Sequence, residues 1–317
     1  MTFLGQTITG GTIVTFYMYI SKFFTPIQNL AEQFNWLQSA LASSEKVFSI
    51  MDIAPKMVDA PDAIELDEVK GEIEFRDVSF RYPDADGDTI HHISFTAHHG
   101  QTVALIGATG CGKSSIINLI PRLYDATSGQ VLVDGVDVRD YTQDALRSKI
   151  GFVPQKAFLF AGTVSSNVGY GEDNASGAAI RKAVSIAQAA EFVESPEVGY
   201  SGTVAQGGSN FSGGQKQRLS IARAVARDPE ILVFDDSFSA LDYKTDHALR
   251  QALREQTSGT TNIIVAQRIG TIRDADCILV IEDGAIVGKG THRELMESCK
   301  VYQEIAYSQL SKEELAS

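Results

Sequence analysis

The sequence predicts an α/β fold in which a mostly parallel sheet is covered by helices on both faces, and three observations carry that expectation. Residues 107–114 read GATGCGKS, a glycine loop of the form G-x-x-x-x-G-K-[ST], set between the apolar run 102–106 (TVALI) and helix-spaced residues from 115 to 123. Further apolar runs at 231–234 (ILVF), 263–266 (IIVA) and 277–281 (CILVI) are separated by helical segments, as strands buried on both faces should be. Ahead of the loop, residues 72–82 (EIEFRDVSFRY) alternate apolar and polar side chains, the mark of a half-buried strand.

Each element follows in order. Residues 1–21 carry no charge and include Phe3, Ile8, Ile13, Phe16, Tyr17 and Ile20. That length suits a bilayer-spanning helix, which needs about 20 apolar residues. Thr9, Gly10, Gly11, Thr12 and Thr15 suit packing against other helices around a polar cavity. Beyond Pro26, the residues Ile27, Leu30, Phe34, Leu37 and Leu41 recur by threes and fours, an amphipathic helix running to Met51. Residues 52–70, with Pro55 and Pro61 among acidic side chains, read as an exposed linker, and a new domain starts near Gly71. Strands are expected at 72–82, 90–97 and 150–153, and a hairpin at 130–139 around Asp134-Gly135. Residues 164–190 are mainly helical, and the helix holding 221–226 ends at Asp228-Pro229.

Composition narrows the function. With 317 residues, 44% hydrophobic and 21% charged, the chain supports one large or two ordinary cores. A net charge of −13 argues against a nucleic-acid partner, which demands a basic surface. Cys111, Cys277 and Cys299 fit neither a disulfide framework nor a zinc site and read as reduced thiols. No secretory signal pattern is visible.

The glycine loop is a phosphate cradle. Gly107, Gly110 and Gly112 let backbone N–H groups turn toward an anion at a helix start, Lys113 supplies charge for β- and γ-phosphates, and the Ser114 hydroxyl ligates Mg²⁺. The thiol of Cys111 is expected to face the bound nucleotide. Residues 231–236 (ILVFDD) put a carboxylate straight after a buried strand, which makes Asp235 the candidate to hold the same Mg²⁺.

At residues 210–226 (NFSGGQKQRLSIARAVA) the chain resembles the nucleotide-binding domain of ATP-binding cassette (ABC) transporters. Ser212, Gly213, Gly214 and Gln215 match that family's signature, preceded by Phe211 where Leu is usual. The resemblance runs from Gly71 to about residue 310 and implies a phosphate-loop fold with an antiparallel β subdomain and a helical subdomain. It implies an ATP and Mg²⁺ site in which Tyr82 stacks on adenine. Ala108, Thr109, Cys111 and Ser115 complete the cradle, and Gln155 reaches the metal and the transmembrane part. Ser239 and Asp242, in SALD, match the loop that crosses between paired domains; residues 203–208 (TVAQGG) lie where exporters touch the partner's membrane helices. Residues 1–51 resemble the last transmembrane helix of an exporter with its cytoplasmic extension. The chain is therefore expected to be a piece of a longer protein of the plasma membrane, with residues 71–310 in the cytoplasm and 311–317 as a tail.

Two departures from the family fall on the chemistry. Asp236 stands where Glu, the general base, is normal, and Gln267 replaces the switch histidine. Shortening Glu to Asp withdraws the carboxylate by about 1.5 Å, and Gln can donate a hydrogen bond but cannot carry a proton. ATP binding without efficient hydrolysis is expected. The paired losses resemble one half of a heterodimeric exporter: a degenerate site here, and a signature that completes a second half-transporter's competent site. The expected cargo is a small amphipathic compound. The alternatives are a homodimer with slow turnover and a soluble, non-transport ATPase or ATP-sensing protein.

Overall fold

The computed structural model describes residues 2–3, 6–7, 9–55, 57–65, 68–172 and 175–309. The expected tail at 311–317 lies outside the described residues. The chain divides into two compact units, Met1–Lys56 and Met57–Ser317.

In the larger unit the unbroken apolar runs become the middle of a six-stranded sheet. Its order is Ala285–Gly290, Cys277–Glu282, Thr102–Gly107, Thr261–Val265, Ile231–Asp235 and Ile150–Val153. All neighbours are parallel except the edge pair Cys277–Glu282 with Ala285–Gly290. Because side chains alternate along a strand, the sheet divides two cores between its faces. Ala104, Ile106, Leu232, Phe234 and Ile264 pack with Leu219, Ile221 and Leu249 of the helices on one side. Val103, Leu105, Ile231, Val233 and Ile263 pack with Ile116, Ile117, Phe75 and Phe95 on the other. The second face carries the Lys113–Leu119 helix, Leu146 of the Gln143–Ser148 helix and the expected antiparallel β subdomain, a four-stranded sheet ordered Ile90–Ala97, Ile73–Phe80, Ser128–Val133, Val136–Asp137.

The expected hairpin at Asp134-Gly135 is present, with φ 49° and 80°, the left-handed pair of a two-residue turn. A second one, Asp283-Gly284 with φ 44° and 81°, joins Glu282 to Ala285. The strand it starts, AIVGKG, was not expected, because two glycines in an edge position erase the alternating pattern. Among its described residues the span 164–190 is mainly helical, as Val164–Val168, Gly177–Ile186 and the start of Ala190–Val193.

The stretch 52–70 is not a free linker along its whole length. The Arg122 guanidinium, 5% exposed, donates to the Val58 carbonyl at 3.2 Å, and Asp59 accepts from the Gln143 N–H at 3.1 Å. The Ile64 N–H donates to Asp140 O at 2.8 Å, and Ile64 O accepts from the Thr142 N–H at 3.0 Å. Residues 57–65 therefore form a strap on the nucleotide unit, and the compact fold starts at Met57 rather than near Gly71.

The smaller unit holds a short antiparallel pair, Thr2–Phe3 with Gln6–Thr7, where the start of a spanning helix was expected, and then one helix, Gly10–Met51, of 42 residues, capped by the Thr9 side chain. The helix runs through Pro26, although a proline removes one backbone bond and crowds the preceding turn. Among the described residues no helix is long and apolar enough to cross a membrane. The threonines, glycines and Lys22 that dilute this helix account for that.

Candidate nucleotide site

Two glycines shape the loop. Gly107 has φ 157°, and a Cβ there would lie 2.0 Å from the Ile281 carbonyl oxygen and 2.8 Å from Cys111 Sγ. Gly112, at φ 101°, precedes the Lys113–Leu119 helix, and a Cβ on it would lie 2.5 Å from Ile90 Cγ2. The backbone is pressed so closely against its neighbours that only glycine fits. Lys113 is buried to 7% exposure, and its Nζ donates to Gly107 O at 2.8 Å and Ala108 O at 2.7 Å. Cys111 is 8% exposed, with Sγ 3.5 Å from Lys113 Nζ. The loop encloses most of that thiol, and Cys111 lines a cleft together with Gly107, Ala108, Thr109 and Gly110.

Around the loop, one cavity of ≈ 180 Å³ gathers Thr109, Gly110, Gly112, Lys113, Ser114, Ser115, Gln155, Asp235, Asp236 and Gln267. These come from four separate stretches of sequence, and the parallel register brings them to the carboxyl ends of the strands. Ser114 Oγ donates to Asp235 Oδ1 at 2.9 Å. Ser114, Asp235 and the Gln155 amide offer the oxygen donors that a hard cation such as Mg²⁺ takes, so these are the residues that would hold it. Burial pushes the Asp235 carboxyl above the ordinary carboxylate range; the Ser114 hydrogen bond opposes this, and the Asp236 charge adds to it. A raised carboxyl is protonated at a higher pH, so Mg²⁺-dependent ATP binding should weaken as pH falls, beginning above the usual Asp range near 3.8. Titrating Mg²⁺-dependent binding of a fluorescent ATP analogue against pH checks this, and Asp235→Asn should remove the Mg²⁺ dependence at every pH.

Asp236 is the best-defined group of the site. It is 7% exposed, has a left-handed φ of 46°, and its N–H donates to Val265 O at 3.0 Å. Its carboxylate accepts from Gln267 Nε2 at 2.8 Å and from Gln155 Nε2 at 3.3 Å. Burial raises this carboxyl too, against the Gln155 hydrogen bond and the Lys113 charge, which lower it. The two sequence departures, Asp236 and Gln267, are thus bonded to each other.

Tyr82 lies in an aromatic cluster, edge-on to Phe80 at 4.7 Å and Tyr124 at 5.1 Å, with its hydroxyl 3.1 Å from Ser115 Oγ. It is tied to the phosphate-loop helix but does not line the cavity. Ser212 caps the Gly213–Val225 helix, its Oγ accepting from the Gln215 N–H at 3.3 Å while Gln215 Oε1 accepts from the Ser212 N–H at 2.9 Å. Phe211 is buried and edge-on to Phe192 at 6.1 Å, which explains why an aromatic serves where Leu is usual. None of residues 212–215 lines the loop cavity, so the signature helix start and the glycine loop are separate features. Asp242, exposed, caps the Tyr243–Gln256 helix through the Thr245 N–H and hydroxyl, and the Ser239 hydroxyl donates to Asp236 O at 2.8 Å.

Sequence reasoning missed two contributors. The Ile281 carbonyl walls Gly107. The side chain of Gln309 bonds the backbone at Gln267 and Ile269. Neither carries a local signal, because both act through contacts between distant elements.

Residues 90–239 match the family described as ABC transporter. YgaD of Bacillus subtilis (strain 168), named as a multidrug export ATP-binding/permease protein, is 40% identical over 298 residues, covering 94% of this chain and 51% of that protein. An ATP-dependent lipid A-core flippase of Syntrophus aciditrophicus is 36% identical over 307 residues, covering 97% and 51%. The structure of a bacterial Atm1-family ABC exporter with ATP bound superimposes with a TM-score of 0.82 at 34% identity, covering 98% of this chain and 55% of that one. The chain spans about half the length of the curated relatives it matches.

Proposed function

From the premise that the larger unit is an exporter-type ABC ATP-binding domain, homologous to those of multidrug exporters, we propose that this chain is the ATP-binding part of an exporter half. It would work in the plasma membrane with a second half-transporter and drive efflux of small amphipathic compounds. Its own loop would hold ATP with Mg²⁺ at Ser114, Asp235 and Gln155, while hydrolysis there is weak. Its signature, Ser212–Gln215, would complete the competent site of the partner. The Gly10–Met51 helix is read as the end of the transmembrane domain, packed against further helices rather than facing lipid alone; matches to exporters over 94–98% of the chain support that.

One observation carries the weak-hydrolysis reading. The Asp236 carboxylate is drawn back on a side chain shorter than Glu and is occupied by the Gln155 and Gln267 amides. A general base must reach the attacking water within hydrogen-bonding distance. Phosphate release from the full-length protein copurified with its partner tests the reading. Ser212→Arg should lower turnover of the pair at least tenfold, toward the about 10²-fold that one lost catalytic group costs, whereas Asp236→Asn should change it less than twofold. Fast turnover by this chain alone that Asp236→Asn abolishes would remove the degenerate assignment. Slow turnover by this chain alone that Asp236→Asn abolishes would instead favour the second reading, a homodimer with slow turnover, which rests on Asp236 still being a carboxylate.

A further inference from the structure

The loop that carries Gln267 is weakly tied by its own secondary structure. The Thr261–Val265 strand has ended, and the next helix, Ile269–Ile272, is four residues long with no side-chain cap from Arg268. Its first N–H groups have no partner within the helix. The missing bond comes from the Lys300–Gln309 helix. Gln309 Oε1 accepts from the Ile269 N–H at 2.9 Å, and Gln309 Nε2 donates to the Gln267 carbonyl at 2.7 Å. One amide thus grips the backbone on both sides of Arg268. The helix that presents it is anchored by Tyr302 and Ala306, both fully buried, and by a 2.8 Å hydrogen bond between Tyr302 Oη and His292 Nδ1. It also borders the phosphate loop. Gln309, Ser308 and Ile305 line a cleft of ≈ 790 Å³ together with Thr109, Gly110 and Gln267.

We infer that Gln309 is a positioning residue for Gln267, so that the Lys300–Gln309 helix sets how long a nucleoside triphosphate stays in the site. This rests on the reading of residues 107–115 as an ATP site. The chain of contact is continuous: Gln309 fixes the backbone at 267 and 269, Gln267 Nε2 reaches Asp236 at 2.8 Å, and Asp236 meets Gln155 at 3.3 Å. All three of the latter line the cavity beside Lys113 and Ser114, where the terminal phosphate would lie. With the backbone grip removed, Gln267 loses its fixed position, and contacts to a γ-phosphate suffer more than contacts to the rest of the nucleotide.

The test uses the full-length protein with its partner, loaded with fluorescent ATP or ADP and chased with unlabelled nucleotide. Two net hydrogen bonds are worth about tenfold in an equilibrium, so Gln309→Ala should speed ATP release from this site about tenfold and leave ADP release within twofold. Gln309→Glu keeps the acceptor but not the donor and should fall between. In a Gln267→Ala background, Gln309→Ala should add nothing, since the two act in series. Gln309 is exposed, so the melting temperature should hold. Equal acceleration for ATP and ADP, or additive effects in the double variant, would overturn the inference and leave a structural role. If wild type retains ATP and Gln267→Ala shortens retention while Gln309→Ala does not, the inference falls alone. Failure of wild type to retain ATP would sink the nucleotide reading and this inference with it.

Discussion

Asp236→Glu combined with Gln267→His is expected to raise ATP turnover at this chain's own site by about 10²-fold, the scale by which ~1 Å of misplacement slows a reaction. Glu advances the carboxylate by about one C–C bond, roughly 1.5 Å. The histidine removes the 2.8 Å amide bond that now occupies Asp236, and it can carry a proton where Gln cannot. Because Asp236 and Gln267 are in direct contact, their effects should not add. Asp236→Glu alone places a longer carboxylate against an unchanged Gln267 amide, and Gln267→His alone leaves the carboxylate short. Each single variant should therefore gain far less than the pair. Phosphate release from the full-length protein and its partner, with the partner's own site disabled, reads the result directly. No gain in the double variant would mean that something other than these two residues limits turnover.

Lys113→Ala should weaken ATP binding by about 10²-fold to 4 × 10³-fold. Removing one member of a buried charged pair costs about 3–5 kcal/mol, and each 1.4 kcal/mol is tenfold. Lys113 is 7% exposed and already desolvated, held by the carbonyls of Gly107 and Ala108, so little of its interaction with phosphate is spent on stripping water. Arginine should rescue poorly, because its planar fork cannot reproduce the point charge that the ammonium places between the Gly107 and Ala108 carbonyls. Titration calorimetry with a slowly hydrolysed ATP analogue provides the measurement. Ser212→Ala serves as the control: the signature does not line this cavity, so affinity of the isolated chain should stay the same.

What could be read from the sequence was whatever is local. The glycine loop, the carboxylate after the 231–234 run, and the small hydroxyl residue opening the 213–225 helix are each complete within a few residues, and the structure places loop and carboxylate in one cavity. The Asp134-Gly135 hairpin was legible for the same reason. Its twin at Asp283-Gly284 carried the same dipeptide and was missed, because the strand it opens has glycines where alternation should appear. The Gln309 grip, the Ile281 wall and the strap at 57–65 could not be seen. Each joins residues far apart in the chain through backbone atoms, and backbone atoms leave no trace in residue type. The aromatic at Tyr82 was visible, but its bond to Ser115 was not.

The two adjacent carboxyls, Asp235 and Asp236, both raised above the ordinary range chiefly by burial, also tie the fold to proton uptake. A carboxyl raised on folding leaves the native state with more bound protons than the unfolded chain between the two pKa values. The resulting penalty on the native state is absent below the unfolded pKa and complete once pH has risen through the folded one. Acidification therefore relieves the fold over the same interval in which Asp235 loses the charge a cation would need. At neutral pH both carboxyls stay charged at the expense of some thermal resistance.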